Sequence, residues 1–590
     1  MMKKKLKALS TKEVSSEKIR RLSSFTYLNV TQFLGALNDN IFKLLIVFFF
    51  LQLDGIQDSH WVLSMSGAIF VLPFLLFSAS SGMLADRFSK RNIIVLTKLL
   101  ELLVMAGAIA AFYFESRWGS WLTLFLLATQ SAIFGPSKYG IIPELVKTEK
   151  ISHANGLMTS FTFLAIIVGT FFASFLLDIT SRNFLFAALF CGTLSLIGLI
   201  TSFCIEYTPP SGSHKRFNVF FMVEIVETLK KTLKIPSLFT AILGSAFFLF
   251  IGAYGQLNMI PYSVNTLQLT DIQGGYLFLV MALGIGVGSL LSGKISGESV
   301  ELGLVPVAGF GISIASFLLD FFSDHLLLVL PVIFMLGVLG GLFVVPLDSF
   351  IQVSSPKNYR GQVVAATNFL SFAGVLLASL LLYLISGVFG FDADKGFTVM
   401  GAITLVVMIA MLFQYFDYTC RYVGMLLSRL HFRTTLSGEE NLPDSPAIYI
   451  CTHTAWNDTL LLLGAQRQRL RFFVEREKEH AKWLKKLYKM LRIVNIPSIE
   501  PLKHERLDEI KETLKRGVSV CIFVDHADVC TEWEKLAASY SFQSLAVPII
   551  PVSIEKGAKE KEARFFKRLF NKIHVPASVS FGSLVCESMV

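Results

Sequence analysis

Two groups of residues have types and spacings that can do chemistry. The first is Thr452-His453-Thr454-Ala455-Trp456-Asn457-Asp458, placed directly after a short apolar run. On one continuous helix, side chains five residues apart diverge by about 140°. His453 and Asp458 therefore meet only if the histidine sits in a strand-to-helix turn and the aspartate in the first helical turn. Asp458 would then accept one imidazole N–H, fix the tautomer and leave the other nitrogen as a general base. The second group is ionisable and polar residues inside long apolar runs, where a charge is costly and marks a functional site by default. Asp39 stands between Asn38 and Asn40 in the first run, and Lys138 stands beside Tyr139 late in the fourth. They are natural opposite-charge partners, Lys138 suited to a phosphate and Asp39 to an amine. Lys43 and Asp348 are weaker candidates, and Gln256 and Asn258 are the polar groups of the seventh run.

These residues need elements to hold them. Of 590 residues, 53% are hydrophobic, only 16% are charged, and 54 are Phe. Soluble chains average about 25% charged residues. The charge is uneven, at about 12% of residues 1–427 and about 28% of residues 428–590. A long membrane region followed by one soluble domain is expected, with a basic N-terminus at 1–24 and no cleavable leader. The seven cysteines contain no CxxC pair, so neither a disulfide framework nor a zinc site is expected. The net charge of +10 points to anionic lipid headgroups as neighbours rather than to nucleic acid.

A membrane-spanning helix needs about 20 mostly apolar residues. Twelve such stretches occur, near 25–53, 61–83, 92–114, 119–143, 157–178, 184–206, 237–261, 273–297, 302–322, 325–349, 361–388 and 397–420. The gaps after odd spans are poor in Lys and Arg. Those after even spans hold Arg87, Lys90, Arg91, Lys147, Lys150, Lys215, Arg216, Lys357 and Arg360, among others. The positive-inside rule places both termini and residues 428–590 in the cytoplasm. Gly82-Met83-Leu84-Ala85-Asp86 matches Gly288-Ser289-Leu290-Leu291-Ser292, Phe134-Gly135-Pro136-Ser137 matches Val344-Val345-Pro346-Leu347, and Ala154-Asn155-Gly156-Leu157 matches Thr367-Asn368-Phe369-Leu370, at offsets of about 210 residues. Two six-helix halves, 25–206 and 237–420, are therefore expected around a linker at 207–236, with a substrate cavity between them near the midplane.

Gly82-Met83-Leu84-Ala85-Asp86-Arg87-Phe88-Ser89-Lys90-Arg91 resembles the loop between helices 2 and 3 of the major facilitator superfamily. A tight Gly contact lets two helices pack, and Asp86 beside Arg87 and Arg91 forms a charge cluster that can lock one conformation and release another. Gln32-Phe33-Leu34-Gly35-Ala36-Leu37-Asn38-Asp39-Asn40, Phe134 to Leu145, Ala154 to Met158, Glu301 to Pro306 and Val344 to Leu347 narrow the resemblance to bacterial lysophospholipid transporters. That family has charged residues in its seventh span that this chain lacks.

From residue 428 short apolar strands (Ala447–Cys451, Arg471–Val474, Val518–Val524, Val547–Ile554) alternate with helices (Asn457–Gln466, Lys478–Leu491, Arg506–Lys515). Such alternation predicts an α/β domain. The 478–491 segment is basic and amphipathic, fit for anionic lipid or an acidic carrier protein. The His453…Asp458 spacing in this setting resembles the glycerolipid acyltransferases. In that family the His deprotonates a glycerol hydroxyl, which attacks an acyl thioester without a covalent acyl-enzyme. Val547-Pro548-Ile549-Ile550-Pro551-Val552 matches a further block of the family. Its Phe-Pro-Glu-Gly block appears here as Phe523-Val524-Asp525-His526, so Asp525 and His526 are substrate-binding candidates, with Lys503 and Arg506 supplying positive charge. The fused order resembles the bacterial 2-acylglycerophosphoethanolamine acyltransferase family. The resemblance implies lysophospholipid recycling at the inner membrane. It implies acyl-carrier protein or acyl-CoA as acyl donor and no bound cofactor. Larger members of that family end in an acyl ligase; none follows here, so a separate acyl-carrier-protein synthetase is implied. A transporter with a degenerate acyltransferase-like domain and a proton-coupled drug or siderophore exporter are the alternatives.

Overall fold

The computed structural model describes residues 2–54, 59–213, 221–235, 237–297, 299–443, 445–452, 458–466, 469–474, 494–495, 504–515, 517–524, 547–556 and 575–582. They form two compact units, Met1–Gln414 and Tyr415–Val590.

Among the described residues, every regular element of the first unit is a helix. Its long helices are α1 (Met2–Asp54), α2 (Ser59–Arg87), α3 (Lys90–Tyr113), α4 (Arg117–Gly140), α6 (Ile151–Ile179), α7 (Phe184–Phe203), α9 (Leu238–Pro261), α10 (Asp271–Ser296), α11 (Leu304–Phe321), α12 (Leu326–Ser354), α13 (Arg360–Leu382) and α14 (Ala393–Gln414), with α5 (Ile142–Leu145) and α8 (Phe221–Thr232) as short connectors. Eleven stretches among the described residues are long and apolar enough to cross a membrane. The remaining long helix, α4, is diluted by Ser120, Thr129, Gln130, Ser131 and Lys138. The basic segment expected at 1–24 is the start of α1 rather than a separate element. The last span ends at Gln414, short of the expected 420, because a second helix begins at Phe416.

Aromatic packing fills the first half. Phe49 lies 4.8 Å from Phe112 and 5.4 Å from Phe184, and Phe50 stacks on Trp121 at 4.3 Å. The second half is held by backbone contact. Lipid tails are as apolar as the helices, so association in a bilayer rests on close packing through small residues. Gly284 and Gly288 of α10 face Gly337 and Gly341 of α12, each pair at a spacing of four. A Cβ at Gly288 would collide with the Val338 carbonyl, and one at Gly337 with the Met281 carbonyl.

The second unit opens with α15 (Phe416–His431), followed by β1 (Phe432–Ser437), β2 (Ile448–Thr452), α16 (Asp458–Ala465), β3 (Leu470–Val474), β4 (Val494–Asn495), α17 (His504–Lys515), β5 (Ser519–Val524), β6 (Ile549–Lys556) and β7 (Val575–Phe581). The sheet order is β1-β7-β6-β2-β5-β3-β4. All pairings are parallel except β6 with β7. Apolar runs such as Cys521-Ile522-Phe523 are buried on both faces, as parallel strands require. The division falls before α15, not at the expected 427/428 boundary, because α15 packs on this unit. Gly424 lies against Leu463, Gly464 lies against Ser428, and Asp417 pairs with Arg471 at 3.7 Å. The sequence pattern does not predict strands β1, β4 and β7, and residues 478–491 lie outside the described residues.

Gly288→Val and Gly337→Val should each destabilise the first unit. Forcing a side chain into a filled contact costs about 1–3 kcal/mol, sometimes more. Thermal unfolding in detergent should show a clear drop for both. Gly252→Ala, with nothing within 4 Å of the added Cβ, should leave the midpoint in place.

Candidate functional site

A cavity of about 440 Å³ lies between the two halves of the first unit. Helices α1, α2, α3, α4 and α6 line it from one half and α9, α12 and α13 from the other. Six phenylalanines form part of its wall, Phe70, Phe74, Phe134, Phe163, Phe248 and Phe372. Phe74 of α2 stacks on Phe372 of α13 at 4.0 Å, one half on the other.

Polar side chains line it as well, and among them Asp39, Lys43, Lys98, Lys138 and Asp348 are of charged type. Asp39 Oδ2 accepts a hydrogen bond from Ser131 at 2.7 Å, while its buried Oδ1 has no partner among the described residues. Lys138 Nζ does not close on Asp39. It lies over the Tyr139 ring at 4.6 Å and the Phe134 ring at 5.9 Å, within cation–π reach. Asp348, from the opposite half, accepts from Ser245 at 2.8 Å. Lys43 lies 5.2 Å from the Phe70 ring centroid. Asp39, Asn40, Lys43, Lys138, Tyr139 and Asp348 all line the cavity.

Three expected binding residues do not line it. Asn38 turns away and donates to Glu101 and Ser195, both at 3.0 Å. Gln256 is exposed. Asn258 is buried beyond the cavity, donating to the Ala393 carbonyl at 2.7 Å, because both positions lie turns past the cavity-lining Ser245, Phe248 and Leu249 on α9. The second half contributes Ser245, Asp348, Gln352, Thr367 and Asn368 instead.

Sequence reasoning passed over Lys98 and Glu101, a buried pair at 2.6 Å inside α3. Lys98 reaches the cavity wall, and Gly35 leaves it room, since a Cβ there would collide with Nζ. The signal was present: two opposite charges three residues apart within an apolar run.

The halves are joined at the end that carries the basic gaps. Asp86 accepts from the Gly361 N–H at 2.7 Å, the Gln362 N–H at 3.0 Å and the Gln362 side chain at 3.2 Å. A carboxylate thus caps the first turn of α13, where orphan donors and the helix dipole both favour negative charge. Gly82 and Gly361 permit this approach, as a Cβ on Gly82 would come within 2.8 Å of the Gly361 carbonyl oxygen. Across α6 and α12, Asn155 and Gln352 exchange amide hydrogen bonds of 3.0 and 2.8 Å. The expected cluster of Asp86 with Arg87 and Arg91 does not form. Arg87 is exposed, and Arg91 donates to the Phe203 and Ile205 carbonyls at the end of α7. It is Lys90 that is buried, paired with Glu144 at 2.7 Å.

In the second unit Asp458 is the first residue of α16 and fully buried. It follows β2, which lies between β5 and β6 with all three strands parallel. Ligands of open α/β sheets bind outside the carboxyl ends of the strands. Thr452 and Val524, which immediately precede His453 and Asp525, are register partners at that end. His453, Lys503, Asp525 and His526 lie outside the described residues, as does the side chain of Arg506. Burial, with Cys451 beside it, pushes the Cys521 thiol up, which leaves it a core residue and not a nucleophile.

The chain belongs to the major facilitator superfamily, whose family model matches residues 28–379. An acyltransferase family model matches residues 433–555. Among curated proteins the chain is similar to the lysophospholipid transporter LplT of Photorhabdus laumondii, 25% identical over 58% of this chain and 82% of the relative. It is also similar to LplT of Escherichia fergusonii, 27% identical over 59% and 85%. Among solved structures, the human organic anion transporter MFSD10 covers 66% of the chain at 14% identity with a TM-score of 0.55. The Escherichia coli fucose:proton symporter FucP covers 66% at 13% with a TM-score of 0.56. These two share the fold.

Asp86→Asn should loosen the basic end of the bundle, since hydrogen bonds to a charged group are worth about 1.5–3 kcal/mol each. A cysteine placed at Thr367 in a background without other reactive cysteines should then react several-fold faster with an impermeant maleimide applied from that side. Unchanged labelling would mean that Asp86 is not what keeps the end shut.

Proposed function

We propose that the chain recycles lysophospholipid, lysophosphatidylethanolamine foremost. It moves the lipid across a bacterial cytoplasmic membrane to the inner leaflet and re-esterifies its free glycerol hydroxyl from an acyl thioester. The observation that carries the reading is a cavity lined in part by aromatic side chains that holds Lys138 with no carboxylate at ion-pair distance, and Asp39 with one unpartnered oxygen, among the described residues. Both belong to a chain that continues into an acyltransferase-family unit. An amphiphile with a phosphate and an amine answers both charges and lies along the apolar wall. The names of the relatives point to the same substrate class.

In this reading the basic gaps, both termini and the second unit face the cytoplasm. His453 takes the proton of the glycerol hydroxyl, the oxygen attacks the thioester carbonyl, and the C–S bond breaks. The thiolate leaves and is protonated by the imidazolium. Asp458 holds the imidazole in the required tautomer and balances its charge. Acyl-carrier protein, charged by a separate synthetase, or acyl-CoA brings the acyl group. Asp525, His526, Lys503 and Arg506 are assigned to the phosphate side of this site. A second reading, a transporter with an inactive acyltransferase-like unit, is favoured by one observation. Phe523-Val524-Asp525-His526 lacks the family's glycine and the basic residue after it.

Asp39→Asn and Lys138→Ala should each lower uptake of labelled lysophospholipid into vesicles severalfold, while acylation of lysolipid presented in detergent stays normal. Normal uptake by both would remove the headgroup assignment.

His453→Ala should abolish conversion of lysolipid to diacyl lipid, as loss of a general base costs about 10²–10⁴-fold. Asp458→Asn should also be severely impaired, and both variants should transport normally. If the unmodified chain transfers no acyl group from either donor, the second reading holds.

A further inference from the structure

Helix α15 is amphipathic in the reverse of the usual sense. Its polar side is turned into the second unit: Arg421, Ser428 and His431 are buried, and Asp417 pairs with Arg471. Its apolar side is turned out. Val423 is 37% exposed, Leu426 45% and Leu430 50%, and their spacing of three and four places them on one face. A soluble domain would present the opposite arrangement.

We propose that this face of α15 lies in the surface of the lipid bilayer and docks the second unit on the membrane. Chain continuity names the occupant. Only Tyr415 separates the end of the span α14 at Gln414 from the start of α15 at Phe416, so α15 begins where the bilayer ends. Its 16 residues reach about 24 Å at 1.5 Å per residue, short of the roughly 30 Å hydrocarbon core, and its buried polar side forbids a spanning role. A helix of this kind settles at the boundary between headgroups and acyl chains. Phe416 and Tyr418, both partly exposed, sit at its start, where aromatic residues favour the interface. Arg429 and Arg433 are exposed near its end, positioned for anionic headgroups. The placement follows from continuity with the span and does not depend on which side of the membrane the unit occupies. With the proposed function, it would let the acyltransferase unit meet lysolipid in the plane of the leaflet.

The test uses the full chain in liposomes of phosphatidylethanolamine and phosphatidylglycerol, with reactive native cysteines replaced. Single spin labels are placed through Val423→Cys, Leu426→Cys, Leu430→Cys and, on exposed strand β1, Ser437→Cys. Retained thermal unfolding midpoints confirm that each variant folds. Collisions with oxygen, which concentrates in hydrocarbon, should exceed those with a water-soluble nickel chelate at 423, 426 and 430, and the order should reverse at 437. Dominance of the chelate at all four positions would overturn the proposal by showing a hydrated face. Shielding of 423, 426 and 430 from both reagents would overturn it by showing a protein-covered face. The labels respond to position and not to turnover, so a chain that transfers no acyl group gives the same collision pattern.

Discussion

A charge inside a hydrocarbon-embedded bundle must be answered by a partner, and this chain answers its charges unequally. Lys98 is closed on Glu101 at 2.6 Å, and Glu101 is further bound by Asn38 and Ser195. That network is complete on its cationic side and ties α1, α3 and α7 together. Asp39 and Lys138 line the same cavity and are satisfied only in part, by one serine and by aromatic rings. The answered charges build the scaffold. The partly answered ones leave a demand that, under the proposed function, a ligand of complementary charge would meet. The same contrast explains Gly35, which leaves room for the Lys98 ammonium in the helix that also presents Asp39.

The second constraint is how the halves touch. Helices α2 and α6 of the first half meet α13 and α10 of the second, the positions related by the internal repeat. Both contacts run through glycine: Gly82 against Gly361, and Gly156 against the Ser289 carbonyl. Contacts of this kind have no flexible filler and so are either made or broken. The hydrogen bonds that accompany them, Asp86 to the first turn of α13 and Asn155 to Gln352, are equally discrete. A cavity whose exit is held by such all-or-none contacts has the two-state character that alternating access requires.

Much of this was legible in the sequence because hydrophobic runs and charge bias are local signals. The long helices, their grouping in two halves and the α/β character of the last part follow from them. What remained hidden depends on contacts between distant residues. Asp86 reads as a charge at a helix end, but its partners lie 275 and 276 positions away. The nearby Arg87 and Arg91 drew the expectation instead. Asn38 and Asp39 are neighbours in sequence yet face different surroundings, because consecutive helical residues point about 100° apart. Lys98 and Glu101 were findable by the criterion applied to Asp39 and Lys138. The end of the last span was misjudged because the apolar face of α15 continues the run past Gln414. β1 shows one buried position in six, too weak a pattern to read as a strand.

Joining the two units in one chain has a thermodynamic consequence under the proposed function. A passive carrier moves lysolipid only until the leaflets balance, since equal affinity on both sides drives nothing. Esterification removes the transported species by breaking a thioester and adding a second acyl chain. Under the proposed function the added chain turns the transported species into a different lipid, so the inner-leaflet pool of lysolipid stays depleted and the acyl donor supplies direction. Tethering raises the effective concentration of the acyltransferase unit at the membrane that receives the lipid. An interfacial α15 would add orientation to proximity by holding that unit against the plane in which its substrate diffuses.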